Sequence, residues 1–240
     1  VFVEIRERLV LALDVDDLVV ALRVGRQLQP WFATAKVGLE LFSASGPDAV
    51  SAVAELGYQV FLDLKLHDIP TTVRRAARVI GALGATYLTL HARSGPVMLR
   101  AGVEGLREGA EAAGLPRPNA LAVTILTSDG DAPEHILGHR VAAAVEAGCA
   151  GLVVAAADVH EAKQLAPRLM AVVPGIRMAS SSPSGPTSGV SDTHDQARPA
   201  TPRQALDTGA DLLVIGRTVT AAADPAAAAE ALVASLSSGA

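Results

Sequence analysis

The stretch FLDLKLHDIPTT, residues 61–72, sets Asp63, Lys65 and Asp68 among Phe61, Leu62, Leu64 and Leu66. Asp63 and Lys65 are two apart, so on a strand both side chains leave the same face. A sheet gives core-facing positions to charges where they are paired or take part in chemistry. An ammonium group held beside a carboxylate is a preorganised cation and a proton donor. The competing interpretation is a structural salt bridge. Only three of the twenty basic residues are Lys, and Lys36 and Lys65 both fall in apolar, strand-like segments. That is an unusual place for so strongly hydrated a cation.

The elements that would position these charges recur along the chain. Eight apolar runs stand out: 9–15, 32–39, 58–66, 85–92, 119–126, 150–156, 169–176 and 211–217. They are apolar on both faces, as buried parallel strands are. Helix-like stretches lie between them at 16–28, 47–56, 70–83, 97–113, 133–147, 158–165, 202–207 and 224–236. Eight strand–helix units predict an α/β chain folded as one (β/α)8 TIM barrel over residues 1–240. A doubly wound sheet is the alternative, although DLLVIGR followed by a terminal helix better suits a last barrel unit. The Ser/Pro-rich segment 177–200 follows the seventh run. Connections this long are lids, binding loops or disordered segments.

In a barrel the C-terminal strand ends converge on one site. Here those ends offer Asp14, Lys36, Asp63 with Lys65, His91, Thr124, PGIR (174–177) and GR (216–217). Alternating charges from the first three strands point to a site, against a salt-bridge network closing the barrel. Asp68 is equally suited to a helix cap and to a site, because Pro70 follows at an early helical position. His67 and His91 have no obvious nucleophile neighbour and read as ordinary wall residues. Phosphates bind where the loops after strands seven and eight meet a short helix. There the backbone of PGI and IGR, with Gln196 and Arg217, would grip one. The ligand read from these residues is a small organic phosphate whose reacting end lies at the Lys/Asp cluster. Asp14, Asp63 and Asp68 could hold Mg²⁺, but Lys36 and Lys65 would repel it. No zinc spacing or Gly-rich dinucleotide fingerprint is present.

The 240 residues are 50% apolar with a net charge of -5, which excludes a disordered chain and a broad nucleic-acid surface. No apolar run reaches the length of a membrane span. The opening VFVEIRERLVLALDV does not read as a signal peptide. The single cysteine, Cys149, reads as a small buried hydrophobe. A reducing, cytoplasmic setting is expected.

With LALDV, KVG, FLDLKLHDIPTTV, TLHA, PGIR, DQARPATP and GADLLVIGR in hand, the chain resembles the orotidine 5'-phosphate decarboxylase family nearly end to end. The resemblance implies a dimeric barrel, free of cofactor and metal, that converts orotidine 5'-monophosphate to UMP and CO₂. It implies that Asp14 binds ribose hydroxyl and that Lys36 contacts ribose and holds the charge network. Asp63 would sit beside the departing carboxylate and Lys65 would protonate pyrimidine C6. Asp68 and Thr72 would reach into the neighbouring subunit's site. Thr124 would recognise the base; Pro174, Arg177, Gln196, Gly216 and Arg217 would surround base and phosphate. The segment between PGIR and DQAR departs from the pattern by its length, so its lid kinetics are expected to differ, with a loop disordered until ligand binds.

The nearest rival by resemblance is a Mg²⁺-dependent sugar-phosphate decarboxylase or aldolase of related phosphate-binding barrels. Members of that kind carry an acid where this chain has Lys36. A non-catalytic nucleotide-binding barrel is the reading from a different class.

Overall fold

The computed structural model describes residues 2–126, 133, 135–178 and 200–237. Eight parallel strands close a barrel in sequential order. They are β1 (Leu9–Leu13), β2 (Thr34–Gly38), β3 (Gln59–Leu66), β4 (Tyr87–His91), β5 (Asn119–Val123), β6 (Gly151–Val153), β7 (Met170–Val173) and β8 (Leu212–Ile215). Closure is made by β1 on β8, with Leu9, Val10 and Leu11 opposite Leu213, Val214 and Ile215.

The helices over the outside begin with α1 (Phe2–Glu7), α2 (Leu18–Leu28), α3 (Leu39–Ser45) and α4 (Pro47–Glu55). Next come α5 (Pro70–Ala82), α6 (Gly95–Ala112), α7 (Ile136–Ala147) and α8 (Val159–Leu165). The last are α9 (Pro202–Asp207), α10 (Arg217–Thr220) and α11 (Pro225–Ser237). All eight expected strands are present, each shorter than its apolar run. The ends of those runs turn into the loops that carry the site. The sequence pattern did not foresee α1, α3 or α10, which are too short to show a helical period.

Strand alternation splits the core in two. Leu9, Leu11 and Leu13 of β1 face the helices, as do Val60 and Leu62 of β3 and Leu88 and Leu90 of β4. Val10, Ala12, Phe61, Tyr87, Leu121, Val172, Leu212 and Val214 pack inside the barrel. Phe61 and Tyr87 meet edge to face there, 5.8 Å between ring centroids. One step along the same inward faces from Ala12, Phe61 and Tyr87 come Asp14, Asp63 and Thr89. The apolar plug therefore forms the floor on which the polar layer stands.

The helix pair α5 and α6 approaches unusually closely. A Cβ on Gly105 would overlap the Arg74 carbonyl oxygen, and one on Gly109 that of Arg78. This contact fixes α5, whose start follows directly from the Asp68 loop. Cys149 is buried, and burial pushes its thiol up to about 12, so it stays protonated and inert. Among the described residues no helix is long and apolar enough to cross a membrane.

Candidate active site

Four charges of alternating sign line up across the ends of β1, β2 and β3. Lys36 Nζ donates to Asp14 Oδ1 at 2.8 Å and lies 3.7 Å from Asp63 Oδ2. Lys65 Nζ donates to the same Asp63 oxygen at 2.8 Å. The middle of the chain is the buried part. The Lys36 and Asp63 side chains are 11% and 14% exposed, whereas Asp14 is 56% exposed and accessible to a ligand hydroxyl. Burial alone would raise the Asp63 carboxyl, but the charges of Lys36 and Lys65 and hydrogen bonds from Lys65 and Thr89 outweigh it. The net result lies below the ordinary carboxylate value. Gly38, at the end of β2, makes room for this arrangement. A Cβ there would stand 3.0 Å from Lys36 Nζ and 3.2 Å from Asp14 Oδ1.

Simple alternation does not describe the Asp63–Lys65 contact. The pairing of β3 with β4 slips between Leu62 opposite Leu88 and Leu66 opposite Leu90, so β3 carries two extra residues. Within this bulge Lys65 takes φ 48°, the one left-handed non-glycine residue among those described. That conformation costs about 1–2 kcal/mol for a residue with a Cβ. Thr89, fully buried on β4, sits opposite the bulge. Its Oγ1 accepts from the Lys65 backbone N–H at 2.8 Å and donates to Asp63 Oδ1 at 2.9 Å.

The charge network forms one wall of a cavity of about 520 Å³ at the C-terminal end of the barrel. The loops after β7 and β8 line another part of it, with Pro174, Ile176 and Arg177, then Gly216, Arg217 and Thr218. Apolar side chains of Val123 and Ile125, at and just after the end of β5, and of Val153 on β6 add to the lining. Gly175 adopts φ 78°, a turn suited to glycine, which carries the chain from β7 toward Arg177. Thr218 Oγ1 donates to the Ile176 carbonyl at 3.1 Å, tying the loops after β7 and β8 together. The roots of the long 177–200 segment also meet, since Arg177 N–H donates to the Ala200 carbonyl at 2.9 Å. Gln196 and the body of the expected lid lie outside the described residues.

Other expected residues are placed differently. Thr124 is fully buried and its hydroxyl donates to the Val153 carbonyl at 2.9 Å, while its neighbours Val123 and Ile125 line the cavity. Asp68 and Thr72 are exposed and do not line the cavity. Asp68 is not the cap of α5; Ile69 holds that position, and Asp68 Oδ1 accepts from the adjacent Ile69 N–H at 2.6 Å. His91 stands beside His67, ring centroids 5.6 Å apart. Burial first, then the positive charges of Arg140, His67, Arg93 and Lys65, push its imidazole down to about 4. It is neutral at ordinary pH, and neither it nor His67 lines the cavity, contrary to their expected place in the wall.

Sequence reasoning missed Thr89, Gly38 and Thr218. Thr89 carried a signal, because it lies two residues before His91 on the inward face of the same strand. Two pieces of the recognised motifs hold structure instead of ligand. Thr201 and Gln204 form a capping box at the start of α9. Asp211 Oδ2 accepts from Lys163 Nζ at 2.6 Å and from the Ala171 N–H at 2.7 Å, joining β7 to the start of β8.

A closed parallel barrel whose charged strand ends share a cavity with an anion-suited loop pair defines a (β/α)8 enzyme whose chemistry lies at the C-terminal face. The model of the orotidine 5'-phosphate decarboxylase / HUMPS family matches residues 7–232. The orotidine 5'-phosphate decarboxylase of Moorella thermoacetica is 41% identical over 96% of this chain and 92% of its own length. That of Nitratidesulfovibrio vulgaris is 44% identical over 95% and 97%. Among solved structures, orotidine 5'-phosphate decarboxylase from Lactobacillus acidophilus superposes with a TM-score of 0.76 at 32% identity, covering 94% of this chain and 97% of that one. The chain belongs to the orotidine 5'-phosphate decarboxylase / HUMPS family.

Proposed function

We propose that this chain is a carboxy-lyase that converts orotidine 5'-monophosphate to UMP and CO₂ without a cofactor, acting as one barrel domain with residues 177–200 as its lid. The observation that carries this reading is the chain Asp14–Lys36–Asp63–Lys65 sharing one cavity with Arg177 and Arg217. Phosphate at Gly216 and Arg217 would place the pyrimidine between the apolar wall and the Lys/Asp cluster, with Pro174 and Arg177 around the base and Gln196 closing from the lid, while the buried Thr124 would hold Val123 and Ile125 in that wall. Asp14 and Lys36 would hold the ribose hydroxyls.

Loss of CO₂ breaks the C6–carboxyl bond and leaves its electron pair on C6, in an orbital the ring does not delocalise. Lys65 meets that charge and delivers its proton to C6. Asp63 lies beside the departing carboxylate, so it disfavours the bound anion more than neutral CO₂. It also holds both ammonium groups in place before substrate arrives. The phosphate contacts, remote from C6, supply binding energy that can close the site. Asp63 Oδ2 faces two ammonium groups and Oδ1 a hydroxyl, an arrangement that disfavours a divalent cation among these acids.

The exposed segment 67–72, with Ile69 66% exposed, supports a homodimer in which Asp68 and Thr72 complete the neighbouring site. A cytoplasmic setting fits the acidic chain and its one inert thiol. The test is product analysis after incubating EDTA-treated protein with orotidine 5'-monophosphate. Stoichiometric UMP and CO₂ are expected; turnover seen only with Mg²⁺ and a sugar phosphate would move the assignment to the related barrel enzymes.

A further inference from the structure

We propose that the Thr89 hydroxyl is a positioning group for this reaction, holding the Lys65 backbone in its left-handed turn and aiming Asp63 through one shared oxygen. The inference rests on the decarboxylase reading and goes beyond the residues that touch substrate. The slip between β3 and β4 leaves Asp63, Leu64 and Lys65 opposite Thr89, so the regular ladder is interrupted where the two charged side chains emerge. The Lys65 N–H finds its partner in Thr89 Oγ1 at 2.8 Å. An amide N–H can only donate, so the hydroxyl must accept there, which directs its own proton to Asp63 Oδ1 at 2.9 Å. The polarity of the three-group chain is therefore fixed. Its central member is shielded from solvent, since Thr89 is fully buried.

The other oxygen of Asp63 receives Lys65 Nζ. Thr89 thus grips Lys65 twice, directly at its backbone and through Asp63 at its ammonium group. Without the hydroxyl, a partly buried N–H and a carboxylate oxygen both lose a partner in a segment that is already conformationally strained. The segment would relax, and Lys65 Nζ would leave the position from which it reaches C6. The phosphate-side wall comes from other strands and would be undisturbed.

The experiment compares steady-state decarboxylation by wild type, Thr89→Val and Thr89→Ser, with the thermal midpoint of each. Thr89→Val keeps the shape and removes the hydroxyl; kcat is expected to fall about 10- to 100-fold with KM within about threefold. Thr89→Ser keeps the hydroxyl and is expected to stay within about threefold of wild type. A Thr89→Val enzyme with wild-type kcat would overturn the proposal, as would Thr89→Ser being equally impaired, which would assign the effect to the methyl group. Should Thr89→Val not fold, amide exchange at Lys65 in the wild type decides. Strong protection is expected, and exchange at the open-chain rate would overturn the hydrogen bond. An inactive wild type would instead sink the decarboxylase reading, and this inference with it.

Discussion

Asp63 Oδ2 accepts a 2.8 Å hydrogen bond from Lys65 Nζ, although one residue separates them on a strand interrupted by a bulge. The same oxygen faces Lys36, so a single, mostly buried carboxylate organises two cations. Asp63→Asn would remove that charge with little change in shape. We expect kcat to fall about 100-fold or more, while the phosphate contacts keep substrate binding. Steady-state kinetics on purified variant and wild type check this.

The same carboxylate sets an acid limit on stability. Its folded value lies below that of the unfolded chain, which protonates near 4. As pH falls below about 4 the unfolded state binds the proton first, so the contribution of Asp63, fully present at higher pH, is lost through that window. Urea unfolding of wild type should weaken more steeply below about pH 4 than that of Asp63→Asn. Parallel curves would show that Asp63 titrates alike in both states.

Arg217 is expected to act on binding rather than on chemistry. Arg217→Ala should raise KM for orotidine 5'-monophosphate about 10- to 150-fold, the range for a charge-assisted pair. The same variant should barely change the much weaker turnover of orotidine, which has no phosphate. Equal losses on both substrates would place Arg217 outside the phosphate grip.

His91 should stay neutral across the working range, since its imidazole is pushed down to about 4. Its ring resonances in an NMR titration should not move between pH 8 and about pH 5. Folding disfavours the charged form, so this residue adds to acid destabilisation as pH falls from the unfolded value near 6.5 toward 4.

The contact between α5 and α6 predicts a stability defect far from the cavity. Gly105→Ala forces a Cβ against the Arg74 carbonyl and should cost about 1–3 kcal/mol. In a chain of this size that lowers the thermal midpoint by roughly 2–4 °C per kcal/mol. A midpoint at or above wild type would mean that the helices separate freely.

The barrel was legible because each strand, buried on both faces, left a mostly apolar run, and Pro47, Pro70 and Pro202 each begin a helix. The charge network was legible because Asp14, Lys36, Asp63 and Lys65 interrupt those runs near their ends. The β3 bulge was not, since a left-handed Lys65 leaves no mark in residue type; glycine would have announced it. Thr89 was hidden by being an ordinary strand former, and Gly38 by following Val37 as any strand-ending glycine does. Exposed Thr72 gained meaning only from the resemblance, and Asp68 was left between cap and site without it, because their proposed partner lies on another subunit.

The most direct test of the central claim is the loss of orotidine 5'-monophosphate absorbance with EDTA-treated wild type beside Lys65→Ala, under conditions where both remain folded. The expected result is rapid loss with wild type and a fall of more than about 10⁴-fold in the variant. Comparable rates in the two proteins would contradict Lys65 as the group that meets and protonates C6.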